Sequence, residues 1–237
     1  MPALDAELLT SLPVWFVATL LSLTLHEAGH ALLGRWGGDD TASEQVTLDP
    51  TPHVRREPVG MILVPILSFL FNGGSWMIGW ASAPYDPLWA ERHPKKAALM
   101  AAAGPLSNFL LAALAAGAIH LGLASFGWQQ PLRGVDLASV VVGPEGTPTV
   151  FTTFFSVLFS VNVLLGFFNL LPMAPLDGHA VVPLFLSEKL THKWHALFED
   201  RGAAMVGLIL AWVIFGRLAW PIFRIALNVL YPGSSYG

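Results

Sequence analysis

The chain contains no cysteine, so neither a disulfide framework nor a thiolate metal site can be built from it. Charge is scarce as well: 12% of the 237 residues are Asp, Glu, Lys or Arg, where about a quarter is usual in soluble domains. The net charge of -4 offers no basic surface for nucleic acid, and none is expected as a partner. Residues 1–11 hold Asp5 and Glu7 but neither Lys nor Arg. The basic start of a cleaved signal peptide is therefore missing, and the first apolar run is expected to stay in the mature protein. What the chain has in abundance is apolar surface, with 54% hydrophobic residues and a mean hydropathy of +0.59. Together with several long apolar runs, this predicts an all-α polytopic membrane protein with about four to six transmembrane helices in a lipid bilayer.

The scarcity of charge makes its few intramembrane occurrences informative. Residues 12–34 form an apolar run that carries His26, Glu27 and His30 near its end. An ionisable group at such a depth is costly and marks a functional site by default. Residues four apart share a helix face, so His26 and His30 can offer imidazole nitrogens to one metal ion, with Glu27 beside it. His-Glu-x-x-His is the zinc-metalloprotease signature, in which the glutamate is general base for the bound water. In a soluble surface helix coincidence would be the better explanation. Here the surrounding run is uncharged, and no solvated-face explanation is available. Without cysteine, any metal must be held by histidine and carboxylate.

A helix over 12–33 is long enough for a hydrocarbon core of roughly 30 Å, and His26 then lies roughly 20 Å along it. Arg35, Arg55 and Arg56 follow this helix, whereas no basic residue precedes it. The positive-inside rule places the N-terminus outside and the metal site toward the cytoplasm. Residues 37–58 are polar and read as a cytoplasmic loop or edge segment with short β-like pieces such as 45–48. His53 in that loop is a candidate further contact, although a loop histidine more often faces solvent.

Residues 59–83 are apolar but broken by Asn72-Gly73-Gly74, and Arg92, Lys95 and Lys96 follow them. Basic flanks on both sides predict a re-entrant pair, entering on 61–71 and returning on 75–83, with the return limb lining the cleft. The next span, 97–126, presents small residues at Ala101–Gly104 for close helix approach, with a break or first turn at Pro105. Asn108 inside that span suits an interhelical hydrogen bond as readily as a catalytic role, and no function attaches to His120. The loop 127–149 carries Arg133 but no lysine, consistent with the outside.

A fourth run over 150–168 leads into Asn169-Leu170-Leu171-Pro172-Met173-Ala174-Pro175-Leu176-Asp177-Gly178. Asn162 and Asn169, seven apart, share a helix face, and Pro172 and Pro175 stop the helix. Lys189, Lys193 and Arg201 follow, so Asp177 emerges on the cytoplasmic side at the depth of His26 and His30. A zinc hydrolase needs a third protein ligand and one open position, which a carboxylate from a second helix supplies. The last segment, 202–231, looks spanning in its first half. Its second half, with Arg217, Pro221 and Arg224, reads equally as a continuation or as an interfacial helix. His192 and His195 before it read as solvated.

With these residues in place the chain resembles the site-2 protease family of intramembrane zinc metalloproteases. The matching pieces are His26-Glu27-Ala28-Gly29-His30, Gly104-Pro105-Leu106-Ser107-Asn108, and Asn169-Leu170-Leu171-Pro172 leading to Leu176-Asp177-Gly178, in the family's order. The resemblance implies one Zn²⁺ held by His26, His30 and Asp177, Glu27 as general base, and Asn169 as a polar group near the scissile carbonyl. It also implies a re-entrant β element that positions an extended substrate. Members often carry a PDZ domain or a cystathionine-synthase-type module. This chain has room for neither, so 1–237 is expected to be a single compact metalloprotease domain with its core motifs in 12–178. His179 departs from the pattern, since a second glycine after Asp-Gly is usual.

The expected reaction is hydrolysis of a peptide bond in or near a transmembrane segment of a protein substrate, at the cytoplasmic side of the cell membrane. The rival reading is a non-proteolytic metal-binding or partner-binding membrane protein in which Glu27 only accepts hydrogen bonds. A zinc transporter would spread its ionisable groups across the membrane depth, whereas here they gather at one level.

Overall fold

A computed structural model describes residues 6–131, 134–197 and 201–236. Asp5 and Arg133, used above in the charge argument, lie outside them. The described chain is all-α with no strand; a single isolated β-bridge pairs Gln129 with Val142. Four helices dominate: α1 (Ala6–Gly37), α2 (Pro94–Ser125), α3 (Val150–Asn169) and α4 (Arg201–Leu230). Each contains a stretch long and apolar enough to cross a membrane, Leu8–Gly37, Pro94–Ser125, Val150–Asn169 and Gly202–Leu230. Expected at four to six, the spans number four among the described residues, beside a shorter apolar helical stretch over Val59–Phe71.

Local chemistry sets the ends. Thr149 and Thr152 exchange side-chain and backbone hydrogen bonds at the start of α3, with Thr149 N–H to Thr152 Oγ1 at 2.8 Å and Thr152 N–H to Thr149 Oγ1 at 3.2 Å. Donors that a helix start would leave unpaired are thereby satisfied. At its other end α3 stops at Asn169, ahead of the two prolines, as expected. One other proline expectation changes. Pro105 neither breaks nor opens α2, which runs through it from Pro94 to Ser125. In α4 the helix likewise continues through Pro221 to Leu230, and Arg224 Nε donates to the Tyr236 carbonyl at 3.0 Å. A proline forfeits one i to i-4 bond, and the turns on either side of it persist.

The chain divides into two compact units. One comprises the N-terminal residues through Leu25, Leu48–Ser82 and Phe109–Val163. In it Trp15 packs on Phe69, ring centres 5.8 Å apart, and both are buried. Asn162, fully buried, donates from Nδ2 to Ser22 Oγ at 2.8 Å and to the Leu158 carbonyl at 2.7 Å, so α3 and α1 are joined by a side-chain hydrogen bond. After the turn at Gly73 and Gly74, both at positive φ, the segment 75–86 has no regular secondary structure. It lies against the preceding helical segment, with Ile78 N–H to Ser68 Oγ at 2.9 Å and Trp80 N–H to the Gly60 carbonyl at 3.1 Å. A Cβ at Gly60 would overlap the Trp80 carbonyl, and one at Gly79 would sit 2.9 Å from the Gly60 carbonyl. In place of the β element expected for the return limb, the described residues show an irregular limb bonded along one side, without a ladder. His53 belongs to this unit, in a short helix over Thr51–Arg56. It is buried at 1% exposure, where solvent exposure was the commoner expectation for a loop histidine.

The other unit comprises His26–Thr47, Ala83–Asn108 and the chain from Leu164 onward. The Gly37 carbonyl at the end of α1 accepts from Trp89 Nε1 at 3.2 Å and Lys96 Nζ at 3.0 Å. Burial opposes ionisation of Asp39, but the Thr41 hydroxyl and the Thr41 and Asp86 N–H groups hold its carboxyl below the usual range. The residues that follow α1 are pinned in this way. Segment 45–48, read as β-like, forms no strand; a 3₁₀ turn covers Ser43–Gln45. Residues 170–176 form an irregular turn, and a five-residue helix over Asp177–Val181 follows.

Candidate metal centre

Every residue of the zinc-signature motif lies in the second unit, together with Asn108, Asn169 and Asp177. His26, Glu27 and His30 are buried at 5%, 4% and 7% exposure, and each offers a ligand atom within 4.8 Å of the others. The two imidazoles meet edge to face, Nε2 to Nε2 at 3.1 Å. Asp177 closes the triangle, with Oδ2 3.0 Å from His26 Nε2 and Oδ1 3.3 Å from His30 Nε2. The residues paired from separate stretches of sequence are therefore brought together.

The outer nitrogens explain why both Nε2 atoms point inward. His26 Nδ1 lies 2.6 Å from Asn108 Oδ1, and His30 Nδ1 lies 2.8 Å from the Met100 carbonyl. A carbonyl only accepts, so His30 donates from Nδ1 and, as a neutral imidazole, turns its Nε2 lone pair to the triangle; with Oδ1 facing it, His26 does the same. Two lone pairs 3.1 Å apart with a carboxylate against both repel unless a cation sits among them. The spacing matches zinc: bonds of about 2.0–2.2 Å in tetrahedral geometry separate neighbouring ligand atoms by roughly 3.3 Å. The donor set, imidazole and carboxylate with its outer hydrogen bonds in place, fits a zinc ion.

Two glycines make the approach of α1 and α2 close enough. A Cβ at Gly104 would overlap His30 Nε2 and stand 2.6 Å from His26 Nε2. At Gly29 it would overlap Ser107 Oγ and stand 2.8 Å from the Ala103 carbonyl. The small-residue surface read at Ala101–Gly104 therefore faces the two histidines. Gly178 plays the same part on the other wall, because a Cβ there would overlap the Leu170 and Leu171 carbonyls.

Asn108, left open between structural and catalytic roles, is fully buried and orients His26. Asn169 ends α3, half-buried, and makes no side-chain hydrogen bond among the described residues. His179 stacks on Trp194 with ring centres 5.5 Å apart, and His192 is exposed as expected. The sequence reading missed the Met100 carbonyl, which accepts from His30 Nδ1. It is a backbone group, which no residue-type pattern reveals. Gly29 did carry a signal, standing inside the zinc-signature motif where any residue is formally allowed.

The sequence model of peptidase family M50 matches residues 14–214, which takes in every motif residue named above. The chain belongs to this family. M50 is the site-2 protease family of intramembrane zinc metalloproteases. Among M50 relatives, "Putative zinc metalloprotease YwhC" of Bacillus subtilis is 30% identical over 177 residues, covering 73% of this chain and 69% of that protein. "Putative zinc metalloprotease Rip3" of Mycobacterium tuberculosis is 31% identical over 198 residues, 84% of this chain but 36% of that protein. No solved structure matches the chain. As an M50 member the chain is a multi-pass membrane metalloprotease.

Proposed function

We propose that this M50 chain hydrolyses peptide bonds in or near transmembrane segments of membrane proteins, with one zinc ion held by His26, His30 and Asp177. The observation that carries the assignment is the triangle of donor atoms at 3.0, 3.1 and 3.3 Å with both outer histidine nitrogens engaged. Zinc bound there supplies Lewis acidity toward water and the scissile carbonyl. Glu27, adjacent to the ligands and buried with them, takes the proton from water and returns it to the leaving amine. Asn169, whose amide has no hydrogen-bond partner among the described residues, donates to the developing oxyanion.

A helical substrate hides its carbonyls in i to i-4 bonds and must unwind to be cut. The return limb offers a template for the unwound segment. Ile78 and Trp80 turn their N–H groups to the Ser68 hydroxyl and the Gly60 carbonyl, so in extended backbone those of Gly79 and Ala81 point to the opposite edge. Neither Gly79 nor Ala81 has a hydrogen-bond partner among the described residues, and an added strand can use that edge.

We place the site toward the cytoplasmic face of the cell membrane. Arg35, Arg55, Arg56, Arg92, Lys95, Lys96, Lys189 and Lys193 all flank it in sequence, in keeping with the positive-inside rule. We also take 1–237 as one membrane-embedded domain, since α1, α2 and α3 each contribute residues to both units.

Metal removal tests the activity. Protein reconstituted in lipid vesicles with a single-span substrate is expected to cut it near the cytoplasmic end of the span, to lose cleavage when zinc is stripped by a chelator, and to regain it with added Zn²⁺. Persistent cleavage by protein shown to be zinc-free would sink the proposal. A graded effect is expected from Asn108→Ala, which leaves the His26 Nδ1–H without its acceptor. Loss of such an outer-shell partner weakens metal binding by about 10- to 100-fold, read by chelator competition. Asn108→Asp, which keeps an acceptor oxygen, is expected to recover most of it.

A further inference from the structure

We propose that Trp194 and Gly207, both outside the sequence motifs, are positioning residues that set the metal affinity of the site by fixing the turn that carries Asp177. The inference rests on the ligand assignment just made and deepens it.

The three ligands are not equally held. His26 and His30 stand on one 32-residue helix and are braced at Nδ1. Asp177 opens a five-residue helix, its side chain is 22% exposed against 7% and 9% for the histidines, and among the described residues its carboxylate pairs with the two imidazoles. A single helical turn does not hold itself in place. The position of the carboxylate therefore depends on what packs against its backbone.

Besides Gly178 on Leu170 and Leu171, two contacts do so, and both come from later in the chain. Trp194, on the helix Glu188–Ala196, donates from Nε1 to the His179 carbonyl at 2.9 Å and lays its ring on the His179 imidazole at 24°. His179 is the departure from the family pattern, so this clamp exploits a side chain that a glycine would not provide. Gly207 of α4 is buried against the turn before Asp177, where a Cβ would stand 2.5 Å from the Ala174 carbonyl. Phe168, one residue before the end of α3, packs on Trp212 and Phe215 at 5.3 and 5.0 Å, which fixes the same stretch of α4. Asp177 is thus held between a hydrogen bond on its C-terminal side and a helix backbone on its N-terminal side.

The test uses the full chain in detergent. Zinc affinity is measured by chelator competition for the wild type, Trp194→Ala, Trp194→Phe, Gly207→Ala and Asp177→Ala, with the visible spectrum of the Co²⁺-loaded forms and the melting temperature of the zinc-free forms. Trp194→Ala and Gly207→Ala are each expected to weaken zinc by about 10- to 100-fold, the range for residues that orient a ligand, and to alter the cobalt spectrum. The zinc-free melting temperatures should stay at the wild-type value. Trp194→Phe, which keeps a ring for stacking but loses the N–H, should fall between. Alanine is a better helix former than glycine, so weakened binding in Gly207→Ala does not reflect loss of α4. Wild-type affinity and spectrum in both alanine variants would overturn the proposal. So would a drop in affinity matched by a drop in zinc-free melting temperature, since the residues would then support the fold and not the ligand. Undiminished zinc affinity in Asp177→Ala would instead defeat the ligand assignment beneath it, so the two failures are distinguishable.

Discussion

Glu27→Gln is expected to lower peptide hydrolysis by about 10²- to 10⁴-fold, the usual contribution of a positioned general base, while zinc stays at the wild-type content. The substitution is nearly isosteric, and Glu27 is 4% exposed, so shape matters. Glutamine keeps a carbonyl oxygen as an acceptor in the same place. What it loses is the ability to take a proton from water. Neither imidazole can substitute, because each has its Nδ1 engaged and its Nε2 turned into the donor triangle. Cleavage of a membrane-embedded substrate and elemental analysis of the purified variant read the two halves separately. Wild-type cleavage by the variant would remove Glu27 from the reaction. Loss of zinc together with activity would make it a structural residue of the site.

The second large effect concerns the metal itself. His26→Ala and Asp177→Ala are each expected to reduce zinc affinity by more than the 10- to 100-fold that an outer-shell partner contributes. Activity is expected to vanish in parallel. Two remaining donors cannot make the closed side of a tetrahedral site. Asp177→Asn separates charge from shape: it keeps an oxygen but not the negative charge, and its affinity should lie between those of wild type and alanine. Stoichiometric zinc retained by His26→Ala in competition with a chelator would refute the ligand set.

Much of this site is legible in the sequence because membrane burial makes polar residues rare. His26, Glu27, His30, Asn108, Asn162, Asn169 and Asp177 stand out against their apolar surroundings, and helical spacing alone groups the first three. The four spans are legible for the same reason. Where the reading fell short, the missing information was tertiary. Pro105 signals a break or a first turn, yet α2 runs through it. The limb at 75–86 has no regular secondary structure and finds the Ser68 hydroxyl and the Gly60 carbonyl as partners, so no ladder forms. His53 sits in a polar stretch whose composition says nothing about its burial. The contacts of Trp194 and Gly207 join residues too far apart in sequence for any local pattern to show them.

The length of α4 carries a consequence for how the protein meets its bilayer. At 1.5 Å per residue, its 29-residue apolar span of Gly202–Leu230 measures about 43 Å, against a hydrocarbon layer of roughly 30 Å. The 20-residue span of α3 matches that layer almost without excess. Only 17% of the most apolar 18 residues of α4 is buried inside the protein, against 61% for α3, which leaves most of that surface available to lipid. A helix with such hydrophobic mismatch tilts to fit, and its tilt follows the thickness of the surrounding membrane. Because Gly207 lies on this helix against the Ala174 carbonyl, acyl-chain length becomes a variable that reaches the metal centre through the backbone of its third ligand.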